Sequence, residues 1–259
     1  MVSEVIYVYQ EERMQLILDY LSKNKRISVE EICKLYDVSR DTARRDLVNL
    51  EKQGAIIRTH GGAILPVPNE EIKSYSERLL FDVEEKHKIA KLSASLIKER
   101  DTVILDTSTT VQACAELLED KECNIITNSI NVADILSKKS KVTTFLLGGK
   151  LNNEHRYLYG NATINMLSYY FADKAFLGAL SISSNGIAVG DDEDAAVMRK
   201  MVEQSKESIV LADHKKFNKT ANFKVCDLSE VDLIITDQYP DEEFMKILDK
   251  NNVNLIVVE

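Results

Sequence analysis

From residue 84 to residue 258 the chain alternates short β-branched apolar runs with amphipathic segments, a rhythm that few folds accommodate. Strands are predicted over 102–106, 124–127, 142–147, 174–178, 208–213, 233–237 and 255–258. Helices are predicted among them, over about 84–99, 110–119, 129–137, 161–170, 192–205 and 241–250. Continuous apolar strands joined by helices specify a larger α/β domain with a mostly parallel sheet covered by helices. Ligands of such sheets sit beyond the carboxyl ends of the strands.

The residues at those ends are polar in four places. The first strand runs into Asp106-Thr107-Ser108-Thr109-Thr110, where a helix begins. Hydroxyls and free backbone N–H groups at a helix N-terminus make an anion site. The second ends in Thr127-Asn128-Ser129 and the third in Gly148-Gly149, where a missing Cβ would let a ligand approach the backbone. A later strand ends in Asp213-His214-Lys215-Lys216, acid and base together. A Ser, Thr or Asn before a helix is most often only an N-cap. Four such clusters on one edge predict a pocket for a small, anionic, hydroxyl-rich molecule such as a sugar phosphate.

A formal charge of −9 argues against nucleic acid until it is located. Residues 13–65 carry ten Lys and Arg against seven acids, so a basic segment is joined to an acidic remainder of −12. Nucleic-acid affinity follows the local patch, not the total. No apolar run approaches the length of a membrane span and no signal peptide is visible, so a cytoplasmic location is expected. Cys33, Cys114, Cys123 and Cys226 form no CxxC pair and read as reduced, partly buried residues. Neither a metal site nor a cofactor is expected, since the four histidines lie in no ligand motif.

Met14, Ile17, Leu18 and Leu21 form the stripe of a helix over about 11–22. Ser28-x-x-Glu31 is a capping box opening a second, short helix over about 28–35. After a turn at Asp37-Val38, Ser39 caps a third helix running to about Gln53, with Gly54 as its stop. Ala43, Leu47 and Leu50 form its core stripe, so Arg40, Thr42, Arg44 and Arg45 face outward. This is a helix-turn-helix whose second helix enters the major groove. Asp41 and Asp46 are expected to orient neighbouring arginines or answer the helix dipole. Two β-prone runs around His60-Gly61-Gly62 predict a wing with Arg58, Thr59 and His60 near its tip. Pro66 and Pro68 mark a boundary. The expected organisation is a small α+β winged helix-turn-helix domain over 1–65, a linker over 66–74 and an effector-sensing domain over 75–259.

Thr42-Ala43-Arg44-Arg45-Asp46-Leu47, followed by Arg58-Thr59-His60-Gly61-Gly62, resembles the winged helix of the DeoR family of bacterial transcription regulators. The second half resembles the sensor domain of the same family, of ribose-5-phosphate-isomerase-like fold. The resemblance runs through Asp106…Thr109-Thr110, Thr127-Asn128-Ser129, Gly148-Gly149, the 173–178 run and the 211–217 run. It implies a repressor of carbohydrate genes, working as a homodimer or homotetramer on an operator and controlled by a sugar-phosphate effector. It also implies that Asp106, Thr109, Thr110, Asn128 and Lys216 line the effector pocket. Four positions depart from the family pattern: Ser108 stands for Gly, Asn152 for Arg, Tyr157 for Ser and Asp194 for Glu. Two other functions compete. One is a phosphosugar isomerase with an accessory winged helix, using Asp106, Asp213 or Glu193 as base; the other is an assembly module with a vestigial pocket.

Overall fold

The computed structural model describes residues 10–24, 26–52, 55–59, 61–64 and 74–258. The chain divides into two compact units, residues 1–72 and 73–259. His60, Gly54 and the expected linker up to residue 73 lie outside the described residues.

The first unit has helix α1 (Gln10–Asn24), strand β1 (Arg26–Ser28), helices α2 (Val29–Tyr36) and α3 (Arg40–Lys52), and strands β2 (Ile57–Thr59) and β3 (Gly62–Ile64). Ser28 and Glu31 close the capping box: the Glu31 N–H donates to Ser28 Oγ at 3.1 Å and the Ser28 N–H to Glu31 Oε2 at 2.7 Å. The Ser28 N–H, and the Ser28 hydroxyl that also donates to Glu31 Oε2 at 2.7 Å, hold the Glu31 carboxyl below its ordinary pKa. Asp37, in the left-handed region at φ 49°, ends α2. Ile17, Leu21, Ile32, Ala43, Leu47 and Leu50 meet in one core, as their spacing predicts. The wing is a three-stranded sheet of order β1-β3-β2, because β1 joins the expected hairpin. Gly62 permits that pairing, since a Cβ there would stand 2.2 Å from the Ile27 carbonyl oxygen.

The second unit opens with helices α4 (Tyr75–Leu80) and α5 (Val83–Leu96). There follow β4 (Thr102–Leu105), α6 (Thr109–Leu117), β5 (Cys123–Thr127), α7 (Ile130–Leu136) and β6 (Val142–Leu146). A hairpin of β7 (Lys150–Asn152) and β8 (Tyr157–Tyr159) leads to α8 (Asn161–Leu167) and β9 (Ala172–Gly178). β10 (Ser181–Ser183), β11 (Gly186–Val189), α9 (Asp192–Glu203), β12 (Ser205–Leu211) and β13 (Phe223–Cys226) come next. β14 (Leu233–Thr236), α10 (Glu242–Lys250) and β15 (Asn254–Val257) close the chain.

Seven of these strands form one parallel sheet of order β15-β14-β12-β9-β4-β5-β6. Successive side chains point to opposite faces, and both faces are covered. Val103, Leu105, Ile125 and Ile209 pack under α5, α6 and α7. Ile104, Ile126, Leu177 and Val210 pack against α8, α9, α10 and a small antiparallel sheet of order β10-β11-β13. That small sheet, the β7–β8 hairpin and α4 were not expected. Cys114, Cys123 and Cys226 are buried and Cys33 half-buried, none in a disulfide. Burial pushes the Cys114 thiol up to about 12. Among the described residues no helix is long and apolar enough to cross a membrane, and no three His, Cys, Asp or Glu could hold a metal ion.

Candidate DNA-binding face and effector site

The outward face of α3 is fixed at its start by Ser39, whose Oγ accepts the Thr42 N–H at 3.2 Å and lies 2.9 Å from the Thr42 hydroxyl. Arg44 and Arg45 are exposed, and with Gln10, Asp41, Val48 and Asn49 they line a shallow depression of about 410 Å³. Arg40 reaches back to α2, where its Nη2 donates to Glu30 Oε1 at 2.7 Å. On the wing, Thr59 is exposed and Arg58 Nη1 lies 3.8 Å from Glu51 Oε2.

Asp46 does not attend to these arginines. It is fully buried and takes a two-pronged contact from Arg13 of α1, Nε to Oδ2 at 2.6 Å and Nη2 to Oδ1 at 3.1 Å. Gln10 Nε2 adds a third bond at 3.2 Å. The acid thus staples α1 to α3 from inside, and Asp41 is the acid that shares the exposed depression with Arg44 and Arg45.

In the second unit the parallel strands bring Asp106, Asn128, Gly148, Gly178 and Asp213 to one edge of the sheet. Asp106 is buried and accepts the Ser108 N–H at 2.7 Å and the Gly178 N–H at 2.6 Å. Burial raises its carboxyl pKa, against those two amide bonds. Ser108 Oγ caps α6 through the Val111 N–H at 3.1 Å, with Thr107, Thr109 and Thr110 all nearly buried around the turn. Asn128 is fully buried; its Nδ2 donates to the Leu158 carbonyl at 2.9 Å, and its Oδ1 finds no hydrogen-bond partner among the described residues. Asp213 is buried, accepts the Lys215 N–H at 3.0 Å, and stands 3.8 Å from Lys216 Nζ.

Gly148 and Gly149 serve the chain's own packing. Thr163 Oγ1 donates to the Gly148 carbonyl at 2.8 Å, and a Cβ on Gly149 would stand 2.1 Å from that hydroxyl oxygen. At Gly149 the missing side chain thus makes room for Thr163 of α8, whereas a Cβ on Gly148 would meet only Met166 Sδ, at 3.4 Å.

The most telling residue at this edge was not anticipated. Arg78 of α4 has a buried Nε with no hydrogen-bond partner among the described residues, and burial pushes its guanidinium pKa down, opposed by Asp194, Tyr75 and Asp106. Arg78 as a whole is half-buried, but a buried guanidinium N–H left short of an acceptor is costly unless something anionic completes it. Lys86 of α5 stands beside it, donating to the Arg78 carbonyl at 2.5 Å and the Phe81 carbonyl at 2.7 Å. The far wall comes from β8 and α9. Tyr157 OH donates to Asp191 Oδ1 at 3.3 Å and its ring stacks on His155, whose buried Nδ1 has no hydrogen-bond partner among the described residues. Burial, with Asp106 and Asp191 nearby, pushes the Asp194 carboxyl up to about 7, while Arg78 opposes the shift.

Two family models match this chain: the DeoR-like helix-turn-helix domain over residues 13–68 and the DeoR C terminal sensor domain over 82–238. The chain belongs to the DeoR family. It is 54% identical over 252 residues to the HTH-type transcriptional repressor GlcR of Bacillus subtilis, covering 97% of this chain and 98% of that one. It is 32% identical over 248 residues to the glycerol-3-phosphate regulon repressor of Escherichia coli, covering 95% and 98%. Ribose 5-phosphate isomerase A of Methanocaldococcus jannaschii overlaps 52% of this chain and 55% of its own, at 19% identity and TM-score 0.39.

In this DeoR-family chain the serine at position 108 is matched to its surroundings. A Cβ on Gly178 would lie 2.3 Å from Ser108 Cβ and 2.5 Å from its Oγ, so the two positions share one volume. Gly178→Ala is expected to cost about 1–3 kcal/mol by overpacking. Adding Ser108→Gly should recover most of that, because glycine at an N-cap costs only a few tenths. Denaturant unfolding of the singles and the double checks this; a double no more stable than Gly178→Ala would refute the shared-volume account.

Proposed function

We propose that this chain is a repressor of carbohydrate genes that binds operator DNA through α3 and the wing and is controlled by a small phosphorylated sugar or polyol at the strand ends. The observation that carries the reading is the outward cationic face of α3, with Arg44 and Arg45 exposed while Asp46 turns inward to Arg13. Arginine on a major-groove helix reads guanine or clamps phosphate; Ser39, Arg40 and Thr42 at the start of α3 and Arg58 and Thr59 of β2 are further contacts, with His60 added from its place in the sequence next to Thr59. At the sensor end, the α6 turn from Thr107 to Thr110 and the unsatisfied Arg78 suit an anion. Asn128, Asp106, Asp213 and Lys216 suit hydroxyls and a second charge, with the backbone of Gly148 and Gly149 at the rim. The protein works in the cytoplasm as a homodimer or homotetramer that places two recognition helices on two half-sites. We read it as a regulator rather than an enzyme, because the relatives it matches along nearly their whole length are named as transcriptional repressors.

Arg45→Ala should weaken binding to duplexes selected by the full chain from a random pool by about 1–3 kcal/mol, roughly 5- to 140-fold. The slope of log K against log salt should flatten by about one if Arg45 meets phosphate, and stay constant with relaxed base preference if it meets guanine. Unaltered affinity in a gel shift at low salt, with the variant folded, would remove α3 as the DNA-reading element.

A further inference from the structure

α4 is the first element after the segment joining the two units, and its inner face carries Tyr75 and Arg78 three residues apart. Arg78 presents its guanidinium to the strand-end site, 5.5 Å above the Tyr75 ring. Tyr75 sits deeper. It is 2% exposed, and its OH donates to Gln112 Oε1 on α6. Gln112 lies within α6, beyond the Thr107–Thr110 turn: its N–H donates to the Ser108 carbonyl at 2.9 Å, and its Nε2 to Glu116 at 2.8 Å. Immediately before Tyr75, Ser74 caps α4, with its N–H on Glu77 Oε2 at 2.8 Å. An unbroken run of bonds therefore links the 106–110 loop, Gln112, Tyr75 and the point where the chain enters the unit.

We propose that the buried Tyr75–Gln112 hydrogen bond is a latch through which occupancy of the strand-end site acts on the segment entering at Ser74, and so on DNA binding. This rests on the effector reading given above. Tyr75 and Gln112 are positioning residues: they leave the affinity for ligand alone and set how strongly ligand and operator oppose each other. The physical requirement is a difference between liganded and empty states at α4. An anion that completes Arg78 pulls on the same short helix whose first residue is pinned to α6, which starts in the turn holding that anion. With the pin in place, α4 cannot adjust to Arg78 without dragging its N-terminal end.

The test measures linkage in the full chain, with the tightest of inorganic phosphate, sn-glycerol 3-phosphate and glucose 6-phosphate as probe. Operator Kd is measured with and without probe, and probe Kd with and without operator. The two ratios must agree in each protein, because the coupling is reciprocal. In the unaltered chain a probe should weaken operator binding at least tenfold. In Tyr75→Phe the factor should fall below about twofold, with the separate Kd values for probe and operator each within threefold of the original. Gln112→Leu and the double variant should give the same loss, since the two residues act as one contact. Persistent coupling in Tyr75→Phe overturns the latch and leaves the effector site standing. Loss of probe binding itself in Tyr75→Phe makes Tyr75 a ligand contact and also overturns it. Failure of every probe to bind the unaltered chain overturns the effector reading and the latch together.

Discussion

Asp46→Ala is expected to destabilise the first unit by about 3–5 kcal/mol, the cost of taking one partner from a buried ion pair. Arg13 is 7% exposed and Asp46 fully buried, so the change leaves a desolvated guanidinium without its carboxylate. Small domains have about 5–15 kcal/mol to lose, and a unit of this size sits at the lower end. Operator binding should therefore vanish near physiological temperature while the second unit still melts cooperatively in calorimetry. The companion experiment is the joint replacement of Arg13 by Met and Asp46 by Leu. Apolar residues of similar volume often match or exceed a buried pair, so the double should fold and keep part of its DNA affinity. If Asp46→Ala melted like the unaltered chain, the staple between α1 and α3 would carry no weight.

Arg78→Met should move two quantities in opposite directions. Removing a half-buried guanidinium whose Nε has no acceptor among the described residues, while keeping the side-chain volume, should leave the empty protein as stable as before or more so. The same change should weaken an anionic effector by about 2–5 kcal/mol, roughly 30- to 4,000-fold. At a concentration 100 times the original Kd, ligand stabilisation of about 2.7 kcal/mol should shrink to below about 1 kcal/mol. A thermal-shift series on both proteins reads both effects. Equal ligand stabilisation in the two would place the anion elsewhere.

The features written in neighbouring residues were legible. Ser28-x-x-Glu31 announced α2, the 3.6-residue stripe through Ala43, Leu47 and Leu50 oriented α3, and the apolar runs named each of the seven parallel strands. What depended on distant partners was not. Asp46 looks like a surface acid until Arg13, 33 positions away, turns inward to meet it. Arg78 looks like an ordinary helical cation, because Asp106, Tyr157 and Asp194, which act on it, come from distant parts of the chain. A signal for α4 did exist, since Ser74-x-x-Glu77 repeats the pattern that marked α2. Six helical residues are simply too few to show a periodic stripe. Asn185-Gly186 likewise marked the β10–β11 hairpin, although strands of three and four residues offer almost no alternation to read.

The order of the large sheet also governs how the protein is made. β4, β5 and β6 leave the ribosome in the sequence in which they pair, but the other side of β4 belongs to β9, which begins 67 residues after β4 ends. At about 5–20 residues per second, that open strand waits roughly 3–13 s for its neighbour. During this interval the nascent chain exposes an apolar strand edge of the kind that recruits chaperones or pairs wrongly. The DNA-reading unit, whose described strands and helices lie before residue 65, can finish folding well before that exposure begins.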